Sequence, residues 1–271
     1  MLEKQILGLF SWQQSRLESL RGLKFGVASR SDVTVLAYHF RDVLEFDAQF
    51  DSLECSIYET WRWCGQLKTR LVVNRITPHL ETFASKFGHC VSLDVCAELI
   101  PGKIHTMSVD CNANLHRRFD SEYVLVVQND GFPLRPGLDA FVGPWDFVGA
   151  PYVRNTWIKR QICSFLNCWV SNGGFSLRSK RICEQASFYW HKKYKKWPES
   201  RALSEDIFYT ETLPLRERGY RRAMKIADFA HASAFSYDAA SPDESASLPF
   251  GFHGARAFDA LHARGKIQDG V

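Results

Sequence analysis

The chain has no apolar run long enough to cross a bilayer, no C-x-x-C pair, no internal repeat and no low-complexity segment. Each absence removes a class of protein. Its eight cysteines (55, 64, 90, 96, 111, 163, 168 and 183) offer no turn with two zinc ligands, so they read as reduced, small core residues. The charge is nearly balanced, with 34 Lys and Arg against 30 Asp and Glu, and the net +4 is far from the basic stripe of a nucleic-acid binder. That small excess suits a protein that handles phosphates or rests near an anionic membrane. With 45% hydrophobic residues and 24% charged residues of mixed sign, disorder is excluded and a large core is expected.

The order of elements points to an α/β fold. Residues 1–22 alternate apolar positions (Ile6, Leu7, Leu9, Phe10, Leu17) with polar ones, which predicts an amphipathic helix too broken for a signal peptide or a spanning segment. Packing on the domain is the plainer role for it, and a peripheral membrane contact is the alternative. Val33 to Tyr38 is β-branched and apolar, as a buried strand should be. Helical periodicity follows over about 45–68, then a second strand at Leu71-Val72-Val73 and a helix opened by Pro78. Strand–helix–strand spacing of this kind gives parallel pairing. The stretch 91–120 carries no deciding period. Tyr123-Val124-Leu125-Val126-Val127 is apolar on both faces and so is central, whereas the chain beyond Ala255 shows little commitment.

Three segments carry candidate chemistry. Gln128-Asn129-Asp130-Gly131 follows the central strand, at the edge where open α/β sheets bind ligands. Asp130 could hold a divalent cation, although Asn-Asp-Gly is equally a turn signal. Asn172-Gly173-Gly174 permits positive φ and close approach of backbone to a ligand, or simply a tight turn. Arg178, just beyond, is by default a surface arginine and otherwise a phosphate contact. Ser204-Glu205-Asp206 reads as a helix start capped by Ser204, or as a carboxylate base taking a proton from a hydroxyl. His253, in Phe250-Gly251-Phe252-His253-Gly254, is a competent metal ligand or a packed core histidine. Trp145, Trp157, Trp169 and Trp190 could stack on a base or sugar, although packing is the plainer role for most of them, and the basic aromatic stretch 157–166 could form an acceptor lid, a membrane-facing surface or a partly buried helix.

In this order, with Asp146-Phe147-Val148-Gly149-Ala150-Pro151 between them, these segments resemble a family of uncharacterised bacterial and fungal proteins described as glycosyltransferases. That family runs Q-T-D, D-Y-I-G-A-P, G-N-G-G-F-S-L-R, E-D and F-G-x-H. The resemblance covers about 120–255. More broadly the chain is similar to the GT-A glycosyltransferase superfamily.

The resemblance implies a single α/β GT-A-like domain over 1–271, with a central, mostly parallel sheet flanked by helices. A nucleotide-sugar-binding half would span about 25–135 and an acceptor and catalytic half about 136–255. Asp206 would be the base of an inverting transfer and Glu205 would hydrogen-bond a sugar. Gln128, Asn129, Asp130, Asn172, Gly173 and Gly174 would line the donor side. Topology adds Tyr38 and His39 at the end of the first strand, near Ala37 to Arg41. Asp130 and His253 would hold manganese or magnesium, but Gln128 stands where the superfamily's usual D-x-D has its first acid, leaving one carboxylate. Ser171 replaces the first glycine of the loop. The implied partners are a nucleotide-sugar and a glycan or lipid-linked acceptor, in polysaccharide or glycoconjugate synthesis. The implied setting is cytoplasmic, at the inner face of a membrane where contact occurs. A non-catalytic nucleotide- or sugar-binding scaffold is the competing reading.

Overall fold

The computed structural model describes residues 2–26, 30–40, 46–151, 170–194, 196, 204–237 and 248–267. Four strands run parallel: β1 (Val33–His39), β2 (Thr69–Val73), β3 (Val91–Val95) and β4 (Tyr123–Val127). Later strands are β5 (Gly131–Pro133), β6 (Phe147–Pro151), β7 (Val170–Ser179), β8 (Ser236–Tyr237) and β9 (Gly251–His253). The main sheet has the order β3-β2-β1-β4-β7-β6, with β7 antiparallel to both neighbours. The expected α/β architecture with a mostly parallel central sheet is therefore the one found. β4 is buried along its whole length, as its apolar run requires.

Helices cover both faces. The principal ones are α1 (Leu2–Arg21), α2 (Phe46–Cys64), α3 (Pro78–Lys86), α4 (Ile104–Asn114), α5 (Lys180–Tyr189), α6 (Glu205–Ile207, continuing through 216) and α7 (Ala255–Ala263), and shorter helices lie at Arg218–Ala223 and Phe229–Phe235. α3 starts where its proline predicts, with Thr77 Oγ1 accepting from the Leu80 N–H. Beneath α2 and α3, Tyr58, Trp61, Phe83 and Phe87 pack ring against ring, and Trp61 Nε1 donates to Thr69 Oγ1 at 3.0 Å. A fully buried ring of this kind contributes about 2–3 kcal/mol over leaving it exposed.

Four local readings change. Asn129-Asp130-Gly131 is not a hairpin: it carries the chain from the main sheet into a second sheet of order β5-β9-β8. Asn172-Gly173-Gly174 is no tight turn but lies inside β7, and neither glycine has positive φ. The register of β7 on β6 shifts there, so that Gly149 faces Ser176 while Ala150 faces Asn172. This bulge frees Gly173–Phe175 from β6. The segment after Ala255 is helical, because Phe258 and Leu261 find Leu9 and Trp12 of α1, a partner distant in sequence. Finally, the undecided stretch 91–120 holds β3 and α4.

α1 packs on the domain, with Leu9, Gln13, Arg16, Leu17 and Leu20 buried. Arg16 Nε lies 2.7 Å from Glu59 Oε1, and Gln13 Nε2 donates to the Asn129 carbonyl at 2.6 Å. The first helix thus braces the turn after β4. No helix among the described residues is long and apolar enough to cross a membrane. The stretch 157–166 lies outside the described residues.

Candidate functional site

At the carboxyl end of β4 the chain turns, with the Gly131 N–H donating to the Gln128 carbonyl at 3.2 Å. β5 then pairs with β9 so that Gly131 faces His253. This pairing brings together residues more than 120 positions apart. His253 Nε2 lies 3.3 Å from Asp130 Oδ1 and 3.3 Å from Gln128 Oε1. The backbone locks the arrangement, since the Gly254 N–H donates to the Asp130 carbonyl at 2.8 Å.

The bulge in β7 forms the opposite wall. A Cβ at Gly174 would lie 2.0 Å from His253 Nε2 and 2.6 Å from Gln128 Oε1. At Gly173 it would lie 2.6 Å from Arg178 Nη2 and 2.8 Å from Glu205 Oε1. The glycines are needed because side chains crowd against their backbone, not for an unusual φ.

Arg178, read from sequence as a surface or phosphate-facing residue, is completely buried. Its guanidinium sits between the rings of Phe147 and Tyr209, at 5.1 and 4.9 Å, and donates to the Gly173 carbonyl at 3.2 Å. It approaches Glu205 Oε1 at 3.9 Å, and Glu205 also accepts from Ser108 Oγ at 2.9 Å. Glu205 is thus a buried, anchored carboxylate. Its neighbour Asp206 faces the cleft, half-buried, and its Oδ1 accepts from Ser204 Oγ at 2.5 Å and from the Ile207 N–H at 2.7 Å. Ser204 does not cap the helix with its hydroxyl, which is spent on Asp206. Burial, and then the adjacent Glu205 charge, push the Asp206 carboxyl up to about 6.

These groups line one cleft of about 310 Å³. It takes in Gln128, Gly173, Gly174, Glu205, Asp206 and His253. Asp130 stands at its edge, beside His253. Two expected donor-side residues lie elsewhere: the Tyr38 hydroxyl donates to Asp110 Oδ2 at 2.8 Å, and the His39 ring meets Phe50 edge-on. Both are buried in the sheet edge and do not line the cleft. Asn129 contributes its carbonyl to Gln13, and the Asn172 side chain lies outside the described residues. Trp190 is buried in the core and Trp145 packs on His231, whereas 157 and 169 are not described.

A protein family of unknown function, DUF5672, matches residues 102–253. The chain belongs to this family. No curated protein matches it in sequence. Among solved structures, the galactosyltransferase LgtC, determined with donor and acceptor sugar analogues, is 14% identical with a TM-score of 0.50. The match covers 86% of this chain and all of that one. A mannosyltransferase from Pyrobaculum calidifontis, determined with GDP-mannose and Mn2+, is 14% identical with a TM-score of 0.38. There, 77% of this chain covers 62% of the other. Ktr4p, a mannosyltransferase from S. cerevisiae, is 9% identical with a TM-score of 0.45 over 76% of this chain and 72% of its own. At these identities the likeness is one of fold, of the GT-A kind.

Every residue lining the cleft falls within the DUF5672 segment, including a wall that the sequence did not reveal. α4 supplies Ile104, His105, Met107 and Ser108. It was invisible because Ser108, Asp110 and Asn112 are buried, so the helix lacks the polar outer stripe that marks a surface helix. A second set of potential ligands, Asp51, Glu54 and His79, gathers within 4.8 Å on α2 and α3. Arg21 sits on both carboxylates, at 2.8 and 2.5 Å, so this set reads as an ion-pair network tying α1 to α2.

Removing the buried guanidinium should be costly. Arg178→Ala is expected to destabilise the fold by about 3–5 kcal/mol, since buried Glu205 loses its counter-charge and the Gly173 carbonyl loses one of its two donors. Chemical denaturation of the variant checks this. A loss below about 1 kcal/mol would mean that the contacts seen here are not carrying the bulge.

Proposed function

We propose that this protein is a glycosyltransferase that moves a sugar from a nucleotide-sugar donor to a hydroxyl of a glycan or lipid-linked acceptor, with inversion. The observation that carries this reading is the meeting, in one cleft, of a poised carboxylate (Asp206) with the Gln128, Asp130 and His253 cluster. A base works best when its pKa lies near the working pH, and Asp206 at about 6 meets that condition. In the step proposed, Asp206 takes the acceptor proton as the acceptor oxygen bonds to the anomeric carbon and the carbon–oxygen bond to the diphosphate breaks. Glu205, held by Ser108 and Arg178, stands beside Asp206 and orients a sugar hydroxyl.

A divalent cation fits the donor side. Neighbouring ligands of an octahedral magnesium or manganese stand roughly 3 Å apart, and the His253 nitrogen stands 3.3 Å from the Asp130 oxygen and 3.3 Å from the Gln128 oxygen. When bound there, the ion would supply charge neutralisation for the departing diphosphate. Gln128 contributes a neutral oxygen in place of an acid, which favours a weakly held ion.

A thermal-shift panel of nucleoside diphosphates and nucleotide-sugars, each with manganese, magnesium or chelator, tests the reading. One nucleotide class should raise the melting temperature by several degrees, and Asp130→Ala should abolish the rise. No shift with any nucleotide would remove the donor site and leave the scaffold reading in its place.

A further inference from the structure

We infer that the protein carries a second, separate site, for an acidic sugar, at the open amino-terminal ends of β2 and β3. Parallel sheets are normally apolar and covered on both faces. Here one face is closed toward the carboxyl half, where Leu36, Val72 and Val126 cluster with Met107 and Cys111 of α4, and along β1 and β4 at Thr34 and Val124, but it is open at the amino ends of β2 and β3, where Lys68 and Ser92 are exposed. Toward the amino ends the same face changes character. Arg70 pairs with Leu36 on one side and Ser92 on the other, so the three point the same way. Two residues back along their strands, Thr34 and Lys68 share that face. Leu71 and Val73, which alternate with them, are buried against α2 and α3.

The result is a cavity of about 440 Å³, larger than the proposed catalytic cleft and at the opposite edge of the sheet. Its floor is Thr34, Arg70 and Ser92. One wall is the chain entering β4, where the Ser121 hydroxyl donates to Thr34 Oγ1 at 2.7 Å and Asp120 stands alongside. The other wall is the turn after α3, at Gly88 and His89. The side chains of Lys68 and Arg70 make no hydrogen bond or ion pair among the described residues, and neither does Asp120.

Two cations that pair with nothing among the described residues, on a hydroxyl-lined floor, suit a phosphate or carboxylate. The volume is in the range that holds a small organic ligand and not merely an ion. Asp120, which lines the same cavity, can accept only from hydroxyl or amino groups. A sugar bearing a phosphate or carboxylate satisfies all three, and this reading is independent of the chemistry in the cleft.

Isothermal titration of the 271-residue chain at low salt, with glucose 6-phosphate and with glucuronate as probes, tests the proposal. Saturable binding of at least one is expected, with none for glucose and much weaker binding for inorganic phosphate. Lys68→Gln combined with Arg70→Gln should weaken binding at least about tenfold, and Arg70→Lys alone should retain part of it. His253→Ala should leave it unchanged. Neither cation has a partner among the described residues to lose, so the double variant should melt within a few degrees of the parent. The proposal falls if neither acidic sugar binds, if glucose or free phosphate binds as well, or if His253→Ala abolishes binding while the double variant does not. Should the double variant misfold, the titration of the parent with the four probes still decides.

Discussion

Asp206→Asn is expected to lower sugar transfer at pH 7 by a factor of about 10²–10⁴, the range that a positioned general base supplies. The exchange is nearly isosteric. Asparagine's Oδ1 can still accept from Ser204 Oγ and the Ile207 N–H, so the local structure and donor binding should survive while proton abstraction is lost. The pH dependence sharpens the test. With its pKa at about 6, Asp206 is about one-tenth ionised at pH 5 and about nine-tenths ionised at pH 7. Transfer should therefore rise between these values and level off above, and the rising limb should vanish in the variant.

Stability should move the other way. The folded state holds this proton more tightly than the unfolded chain, so it binds more protons between about pH 4 and 6, and stability falls as pH rises through that window. Asn at this position should raise the melting temperature at pH 7 but not at pH 4. A variant that keeps full activity would remove Asp206 from the chemistry.

Gly174→Ala is expected to cut both nucleotide stabilisation and transfer, the latter by at least about 100-fold, with a smaller effect on folding of about 1–3 kcal/mol. A methyl group there would lie 2.0 Å from His253 Nε2, which no real contact tolerates, so His253 must swing away from Asp130 and Gln128. The added carbon thus acts on the donor cluster and not on the backbone, whose φ at this position suits any residue. Gly26→Ala, with nothing near its added carbon, serves as the control. Thermal shift and transfer assays on the two variants separate the effects. Near-parental activity in Gly174→Ala would show that the cluster of His253, Gln128 and Asp130 is not part of the working site.

Both predictions depend on contacts that link distant parts of the chain, and this marks the limit of what the sequence reveals. β1, β2, α3 and β4 were legible because their signals are local. They are short β-branched or apolar runs, a proline at a helix start and alternating helical faces, all of which act within one turn or strand. The charge balance and the lack of a spanning run are likewise properties of composition alone. Motif order was enough to single out Gln128, Asp130, Gly173, Gly174, Glu205, Asp206 and His253 as candidates.

What the sequence could not decide was what these residues would touch. The local signal of Asn-Asp-Gly favours a hairpin, but β9 supplies a better partner from more than 100 residues away, and the chain crosses into a second sheet. Arg178 resembles a surface cation until Phe147, Tyr209, Gly173 and Glu205 close around it. The polar residues of α4 hide its period because they are buried against partners on other elements, Ser108 on Glu205 and Asp110 on Tyr38 and Arg118. Local propensity determined which segments became strands and helices. Long-range burial decided which polar groups lost water, and with it the raised carboxyl of Asp206 and the pairing of His253 with Asp130, because desolvation and close charge exist only once the distant parts of the chain have met.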